Sequence, residues 1–468
     1  MRKFLSILII TLLICTLGGT ISSLAENSVD FVNDGDTRED LAQRYKNAEP
    51  GEEFLVGHIT FQLAQEYAMM MFQSTEQAAE QLGLKFKGVV AHSDAEWIQL
   101  TKSMIASGAK AITYNCPSLN VVPELARICE ENDVFMLTNF GITGEMLPGD
   151  YGPRWVVDNS PQADEQAYFP LMLLFEKMSQ DGKTRVYHQQ GSKSSATVAQ
   201  VQINLATLMA WSQYPELKMY GHQYGEWNFE DGRKGAEAAL AERTDYQGIW
   251  AANDSQITGA LSAFQDRGIF IDKYAVSRDM ETTTAQKIVA DQFLATNGFD
   301  IPYFGGRMVA MAYDMCVGKW YPMPDEMVQA GKLNTYGNSE APQLAKDAGI
   351  SDNPSFYLGP TEKTLNKILM EIKKDEPQYP YDFRLVSHAK TEELGLEYDR
   401  HAGGGTELGF NDFYYPVKTD RFASRQEFKN HIGALHEYLL DLDVETWEEA
   451  KKLLESLPSE IKTEPVWN

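Results

Sequence analysis

From Glu53 to Trp320, short β-branched and apolar runs alternate with longer stretches whose apolar residues recur at helical spacing. Phe54 to Ile59 (FLVGHI) reads as a buried strand, and Leu63 to Leu82 as a helix with apolar positions at Ala64, Tyr67, Ala68, Met71 and Phe72. The step repeats through strands at Lys85 to Ala91, Ala111 to Tyr114 and Val134 to Thr138, with helices at Glu96 to Ala106 and Val121 to Glu130 between them. These helices end near Gly83, Gly108 and Asn132, residues that adopt a left-handed cap at least cost. A further strand, Arg154 to Val157, runs through Asp158-Asn159-Ser160-Pro161 into a long helix reaching about Met178. The alternation then restarts, with strands at Arg185 to His188, Leu217 to Gly221, Gly248 to Ala252, Tyr274 to Ser277 and Phe293 to Thr296. Alternating strands and helices predict parallel sheets covered on both faces, because a parallel crossover needs about a dozen residues. Five units, a connection and five more predict two similar lobes rather than one very large sheet.

Beyond Trp320 the texture changes. Pro322, Pro324, Pro342, Pro354 and Pro360 mark a loop-rich or linker-like stretch. Three amphipathic helices are expected after it: Glu362 to Ile372, Arg425 to Leu440 and Trp447 to Leu457. The last two open with capping-box spacing, Ser424 to Glu427 and Thr446 to Glu449. Gly403-Gly404-Gly405 between them reads as a turn or loop, and no short solenoid repeat is visible.

The N-terminus has the form of an export signal: Met-Arg-Lys, an apolar stretch from Phe4 to Leu17, then Ser23-Leu24-Ala25, which predicts cleavage after Ala25. Cys15 follows Ile14 where a lipid-modified signal would want a small residue, which argues against lipidation. Cys116, Cys129 and Cys316 remain after cleavage, an odd number with no zinc spacing, and are expected to be buried or free thiols. One pair, Cys116 with Cys129, is close enough in sequence to bond. With 67 acidic and 41 basic side chains among 468 residues, the net charge is −26, and it becomes more negative once the segment carrying Arg2 and Lys3 is removed. Affinity for phosphate backbones and anionic lipids rests on Lys and Arg, so nucleic-acid and membrane-surface binding are discounted.

Familiar catalytic motifs are missing: no GxSxG, HExxH or GxxxxGK occurs. Ser192 and Ser194-Ser195 after Gly191 read as a turn that caps the next helix, not as a nucleophile. His388, Glu397, Asp399 and His401 match no standard zinc or calcium spacing, and Asp441, Asp443 and Glu445 read as helix capping. The stronger constellation lies just past the strands, where open parallel sheets bind ligands. Those positions hold Thr60-Phe61-Gln62, His92-Ser93-Asp94, Asn139-Phe140, Asp158-Asn159, Gln189-Gln190, Asn253-Asp254, Arg278-Asp279 and Asn297-Gly298-Phe299. Aromatic faces pack on the C–H faces of a sugar while amides and carboxylates take its hydroxyls, so the set favours a polyol-sized ligand.

At this point residues 53 to 320 resemble the type I periplasmic sugar-binding proteins of ABC transporters, the ribose-binding-like group. The resemblance is carried by the segment from Trp250 to Gly268, with Asn253-Asp254 between strand and helix, and by Val276-Ser277-Arg278-Asp279. Tyr214-Pro215 before a strand, Trp227 after it, and Asp158-Asn159 before a long helix fit as well. It implies that Asn253 and Asp279 bond ligand hydroxyls from the second lobe, and that Phe61 and Phe140 are aromatic walls from the first. The chain departs from the family's pattern at Asn139-Phe140, where an aspartate-arginine pair is usual. It departs again in the helix near Gln200 and Gln202, which lacks the usual arginine, and over Asn297 to Asp300, where a glutamine is expected.

The expected architecture is therefore α/β: two doubly wound parallel-sheet lobes joined by a hinge, the periplasmic binding protein type I arrangement, with a mainly helical C-terminal extension. Residues 53–157 with about 297–330 form the first lobe, 158–296 the second, and 331–468 an extension. The expected ligand contacts are Phe61, Gln62, Asn139, Phe140, Asn159, Gln190, Trp227, Asn253, Asp254, Asp279, Asn297 and Phe299. The function implied is an exported, monomeric solute-binding protein that closes on a sugar or polyol and hands it to an ABC permease, without a cofactor, a metal or catalysis. Two rivals stand beside it. One is a periplasmic sensor presenting its closed form to a receptor kinase or chemoreceptor; the other is a secreted carbohydrate-active enzyme using Asp254 and Asp279 as paired carboxylates.

Overall fold

The computed structural model describes residues 31–161, 163–299, 301–324, 327, 334–337, 381–398, 422, 424–461 and 463. The export segment, the helix expected at Glu362 to Ile372, the Gly403 to Gly405 loop, Asp399 and His401 lie outside the described residues.

A short helix α1 (Arg38–Tyr45), closed at its start by a capping box between Thr37 and Asp40, precedes the first lobe. That lobe is built from β1 (Leu55–Thr60), α2 (Glu66–Gln81), β2 (Lys85–Val90), α3 (Asp94–Ala106), β3 (Ala109–Asn115), α4 (Val122–Glu131), β4 (Phe135–Asn139) and β5 (Trp155–Asp158). The second follows as α5 (Ala163–Gln180), β6 (Arg185–Gln190), α6 (Thr197–Trp211), β7 (Lys218–Tyr224), α7 (Phe229–Glu242), β8 (Gly248–Ala251), α8 (Asp254–Asp266), β9 (Ala275–Arg278), α9 (Thr282–Val289) and β10 (Ala295–Gly298). Then α10 (Ile301–Cys316) returns to the first lobe, where it packs against α2, β3 and β4.

The first sheet runs β2-β1-β3-β4-β5 and the second β7-β6-β8-β9-β10, parallel throughout these strands, so each lobe repeats one winding order. The strands of both interiors are almost wholly buried, as expected for parallel strands covered on two faces. Asn297 belongs to β10 of the second sheet, so the return to the first lobe falls after Phe299 rather than at 297. A sixth strand, β11 (Asn334–Gly337), joins β10 antiparallel from a stretch expected to be loop. It covers what would otherwise be an open sheet edge.

Among the described residues, two passages between the lobes can be followed through the sheets. The first passage is pinned at Asn159, whose Nδ2 donates to the Phe304 carbonyl (3.2 Å) and whose Oδ1 accepts from Arg307. The second holds Phe299 against Phe304, with ring centroids 4.7 Å apart. Met327 stands with the first lobe, its carbonyl accepting from Asp158 N (2.9 Å), while β11 belongs to the second sheet.

The described parts of the extension pack on both lobes. Tyr381 and Phe383 pack on Tyr303, and α11 (His388–Leu394) has its first turn held by the Asp314 carboxylate of α10, which accepts from Ser387 Oγ (2.6 Å), His388 N (2.8 Å) and Ala389 N (2.9 Å). Helices α12 (Arg425–Leu439) and α13 (Trp447–Ser456) match the two amphipathic segments read from sequence. Ser424 caps α12, and Thr446 with Glu449 forms the capping box of α13. Ile432, Leu435 and Leu439 turn inward toward α6 of the second lobe. At its other end α12 reaches the first lobe, where Arg425 and Lys429 pair with Asp150 at 2.9 Å each.

Candidate functional site

The carboxyl ends of both sheets open onto one cleft of about 300 Å³. Phe61, Gln65, Tyr67, Cys116 and Phe140 line it from the first lobe, and Ala196, Trp227, Asn253, Arg278 and Asp279 from the second. Ten described non-glycine residues have positive φ, and five of them line this cleft: Cys116 (49°), Phe140 (57°), Ala196 (48°), Trp227 (59°) and Asp279 (119°). Such backbone costs on the order of 1 kcal/mol or more per residue and clusters at functional sites.

Each wall has its own support. Tyr67 stands in the first turn of α2, and its hydroxyl donates to Asn115 Oδ1 (3.0 Å), whose Nδ2 donates to Thr60 Oγ1 (3.1 Å). The Phe140 turn is held from beneath by Asp158, a wholly buried carboxylate that accepts from Gly141 N (2.8 Å), Thr138 Oγ1 (2.7 Å) and Ser160. Phe140 N itself donates to Ser160 Oγ (2.7 Å). Burial pushes Asp158 up to about 6 against these donors. Opposite, the Trp227 indole donates to the Ser195 carbonyl (3.0 Å) and lies flat on Gly191, where a Cβ would collide with the ring.

The polar end is a linked trio. Asn253 caps α8, accepting from Gln256 N (2.9 Å) and donating to the Trp227 carbonyl (3.1 Å). Arg278 donates through Nε to the Ala252 carbonyl (3.1 Å) and through Nη1 to Gln166 Oε1 (2.5 Å), and pairs with Asp279 at 3.2 Å. Burial raises Asp279 to about 6, against the pull of Arg278 and the hydrogen bond from Asn253. Gly298 lets the neighbouring strand pass beside Asp279: a Cβ there would stand 2.6 Å from its carbonyl group.

Of the twelve expected contacts, Phe61, Phe140, Trp227, Asn253 and Asp279 come together on this cleft. Gln62 is next to it, donating to Gln65 Oε1 (3.2 Å). The other six do not line it. Asn139 and Asn297 are wholly buried at strand ends, their carbonyls accepting from Cys116 N and Asp279 N (2.9 Å each), and their side-chain amides meet no protein partner. Asn159 and Phe299 belong to the interlobe passages. Gln190 faces the extension, accepting from Leu442 N (3.0 Å) and donating toward Asp441 (3.4 Å). Asp254 is sealed by Ser277, Thr296 Oγ1 (2.8 Å) and Glu281 N (2.7 Å), so Asp254 and Asp279 do not flank a common ligand as paired acids.

Gln65, Tyr67, Cys116, Ala196 and Arg278 are cleft residues that the sequence reading did not single out as ligand contacts. Arg278 had a visible signal, standing at a strand end beside Asp279. Gln65 and Tyr67 fall inside the helix that the periodicity predicts from Leu63, whereas α2 begins at Glu66. The Cys116 and Cys129 thiols are buried and unbonded to each other, and burial pushes both up. The Ser192 hydroxyl accepts from Ser194 N (3.1 Å) and Ser195 N (3.4 Å), shaping the turn before α6. Among the described residues no cluster of His, Cys, Asp and Glu could hold a metal ion, and no helix is long and apolar enough to cross a membrane.

Two α/β lobes of one winding order, facing each other over an aromatic and polar cleft, define the type I periplasmic binding protein fold. The chain belongs to the family described as the periplasmic binding protein domain, whose model matches residues 56–319, more than half of its length. Solved structures agree on the fold. A Mycobacterium smegmatis protein in complex with β-D-fucofuranose is similar at a TM-score of 0.56 and 15% identity, over 68% of this chain and 98% of that one. The periplasmic component of the arabinose ABC transporter of a Shewanella species, bound to L-arabinofuranose, is similar at 0.53 and 17%, over 64% and 99%. An Actinobacillus succinogenes ABC transporter solute-binding protein with bound D-allose is similar at 0.54 and 17%, over 62% and 100%. Each of these is covered almost whole, while about a third of this chain falls outside the match. No match is found among curated proteins.

Proposed function

We propose that this chain is an exported solute-binding protein that closes its two lobes on an uncharged monosaccharide or polyol and delivers it to an ABC permease. The observation that carries the reading is the cleft itself. Phe61, Tyr67 and Phe140 on one lobe oppose Trp227 on the other, and the Asn253, Arg278 and Asp279 trio supplies donors and acceptors for hydroxyl groups. Arg278 and Asp279 neutralise one another, which suits a neutral ligand. A ligand that touches both lobes binds the closed state better than the open one, and that difference is what closes the hinge. The sugars bound in the structural relatives, the family membership and the N-terminal export pattern support transport and an extracytoplasmic location.

The test is a thermal-shift panel of pentoses, hexoses and polyols on the chain from Glu26 onward. A ligand at about a hundred times its Kd stabilises the fold by about 2.7 kcal/mol. One or a few sugars should raise Tm, and Asp279→Asn should remove the rise. If no sugar shifts Tm and no carbohydrate is released from the denatured protein, the reading fails.

A further inference from the structure

Two helices begin beside the cleft without a side-chain cap of their own. Gln65 precedes α2 and Glu281 precedes α9, and neither side chain bonds the helix that follows it. The first N–H groups of a helix have no intrahelical acceptor and carry partial positive charge. Here each helix is served from the opposite lobe. Glu66, the first residue of α2, reaches α9, where its carboxylate accepts from Thr282 N (2.8 Å), Thr283 N (3.3 Å) and Thr283 Oγ1 (2.9 Å). Glu281 reaches α2, where its carboxylate accepts from Tyr67 N (3.3 Å). Glu281 is held ready for this inside its own lobe, since Ser255 Oγ lies 2.9 Å from both carboxylate oxygens and its backbone N donates to Asp254.

We propose that Glu66 and Glu281 form a reciprocal latch, each lobe capping a helix of the other, that exists only when the lobes are closed and keeps a closed population without ligand. The inference rests on the reading of two lobes that close on a ligand. In the open state Glu66 returns to water, and α9 loses the acceptor for its first N–H groups. Glu66 and Glu281 are absent from the cleft lining, so they tune affinity through the closed fraction: apparent Kd is the intrinsic Kd divided by the fraction competent to bind. Tyr67, the residue whose N–H meets Glu281, is itself a cleft wall, so the latch also fixes where that ring stands.

The test measures lobe separation in the ligand-free protein by pulsed electron spin resonance between labels at two exposed positions, Lys102→Cys on the first lobe and Ala238→Cys on the second. The three native cysteines among the described residues are buried. Glu66→Gln keeps the length of the side chain but removes the charge and one acceptor, and Glu66→Ala removes the cap. In both variants the closed-to-open ratio should fall on the order of fivefold to tenfold. Tm should move little in comparison, because Glu66 is not a core residue. An unchanged distance distribution in both variants overturns the latch. A distribution that shifts in the variants while no sugar alters it in any chain keeps the latch and removes the sugar reading instead.

Discussion

Asp279 shows how a single residue here serves the cleft through its backbone as much as through its carboxylate. Its backbone, at a φ of 119°, lies against Gly298 of the adjacent strand, where a Cβ would stand 2.6 Å from the Asp279 carbonyl group. Gly298→Ala should therefore displace Asp279 and abolish the sugar-induced rise in Tm, with a stability loss of about 1–3 kcal/mol from overpacking; equal sugar response in the variant would show that this strand spacing is irrelevant to binding. A second residue sets a pH response. His58 is wholly buried, with Nδ1 2.9 Å from Thr113 Oγ1, and burial lowers it from 6.5 to about 3. Because its folded pKa is depressed, the unfolded chain takes up a proton below about pH 6.5 that the folded chain refuses. Stability is therefore lost as pH falls, by about 1.4 kcal/mol per pH unit for this group. Asp158 and Asp279 act in the opposite sense, since their raised values mean stability present at low pH and lost as pH rises through about 6. Urea denaturation at pH 7 and pH 5 should show wild type losing about 2 kcal/mol more than His58→Gln over that interval. The five cleft contacts that were legible in sequence, Phe61, Phe140, Trp227, Asn253 and Asp279, all follow strands. Gln190 ends β6 and Asp254 follows β8, but their side chains are consumed by the extension and by Ser277, Thr296 and the Glu281 N–H, partners that strand-end position does not reveal.

At the scale of elements, strands such as β1, β3, β4 and β8 were readable because each is a short, mostly apolar run with a turn after it. The caps of α12 and α13 were readable because a capping box is a contact between residues three apart. β11 was not, since four residues, Asn-Thr-Tyr-Gly, carry no alternation of their own and are a strand only because β10 lies beside them. Nor was the destination of α12. This helix crosses the first lobe at Gly433, whose backbone lies so close to Gly144 that a Cβ on Gly144 would collide with it. Gly144→Ala should lift the Arg425 end of α12 from Asp150, which hydrogen exchange would record as faster exchange over residues 425–433; unchanged protection there would mean that the helix is not seated by this contact.

Across the whole molecule, α6 explains why the extension matters. Every residue from Thr197 to Trp211 is buried, because α5 covers one side while α12 and α13 cover another. A helix buried on all sides demands such cover, and its polar side chains find hydrogen-bond partners, with Asn204 Nδ2 donating to the Leu439 carbonyl of α12 (2.9 Å). Deleting residues 422–468 should expose this helix, lower Tm and give an aggregating product in size-exclusion chromatography; a monomeric fragment of unchanged Tm would show that α6 tolerates water. The sequence by itself determined the α/β alternation, the two rounds of five units, the export pattern and the acidic surface, because these depend on local periodicity and composition. Only the tertiary structure decided which strand-end residues share the cleft, which carboxylates are sealed as scaffold, and that one lobe caps the helices of the other. Those outcomes depend on side-chain direction and on contacts between residues some 215 positions apart, such as Glu66 with Thr282, and no local pattern encodes such a meeting.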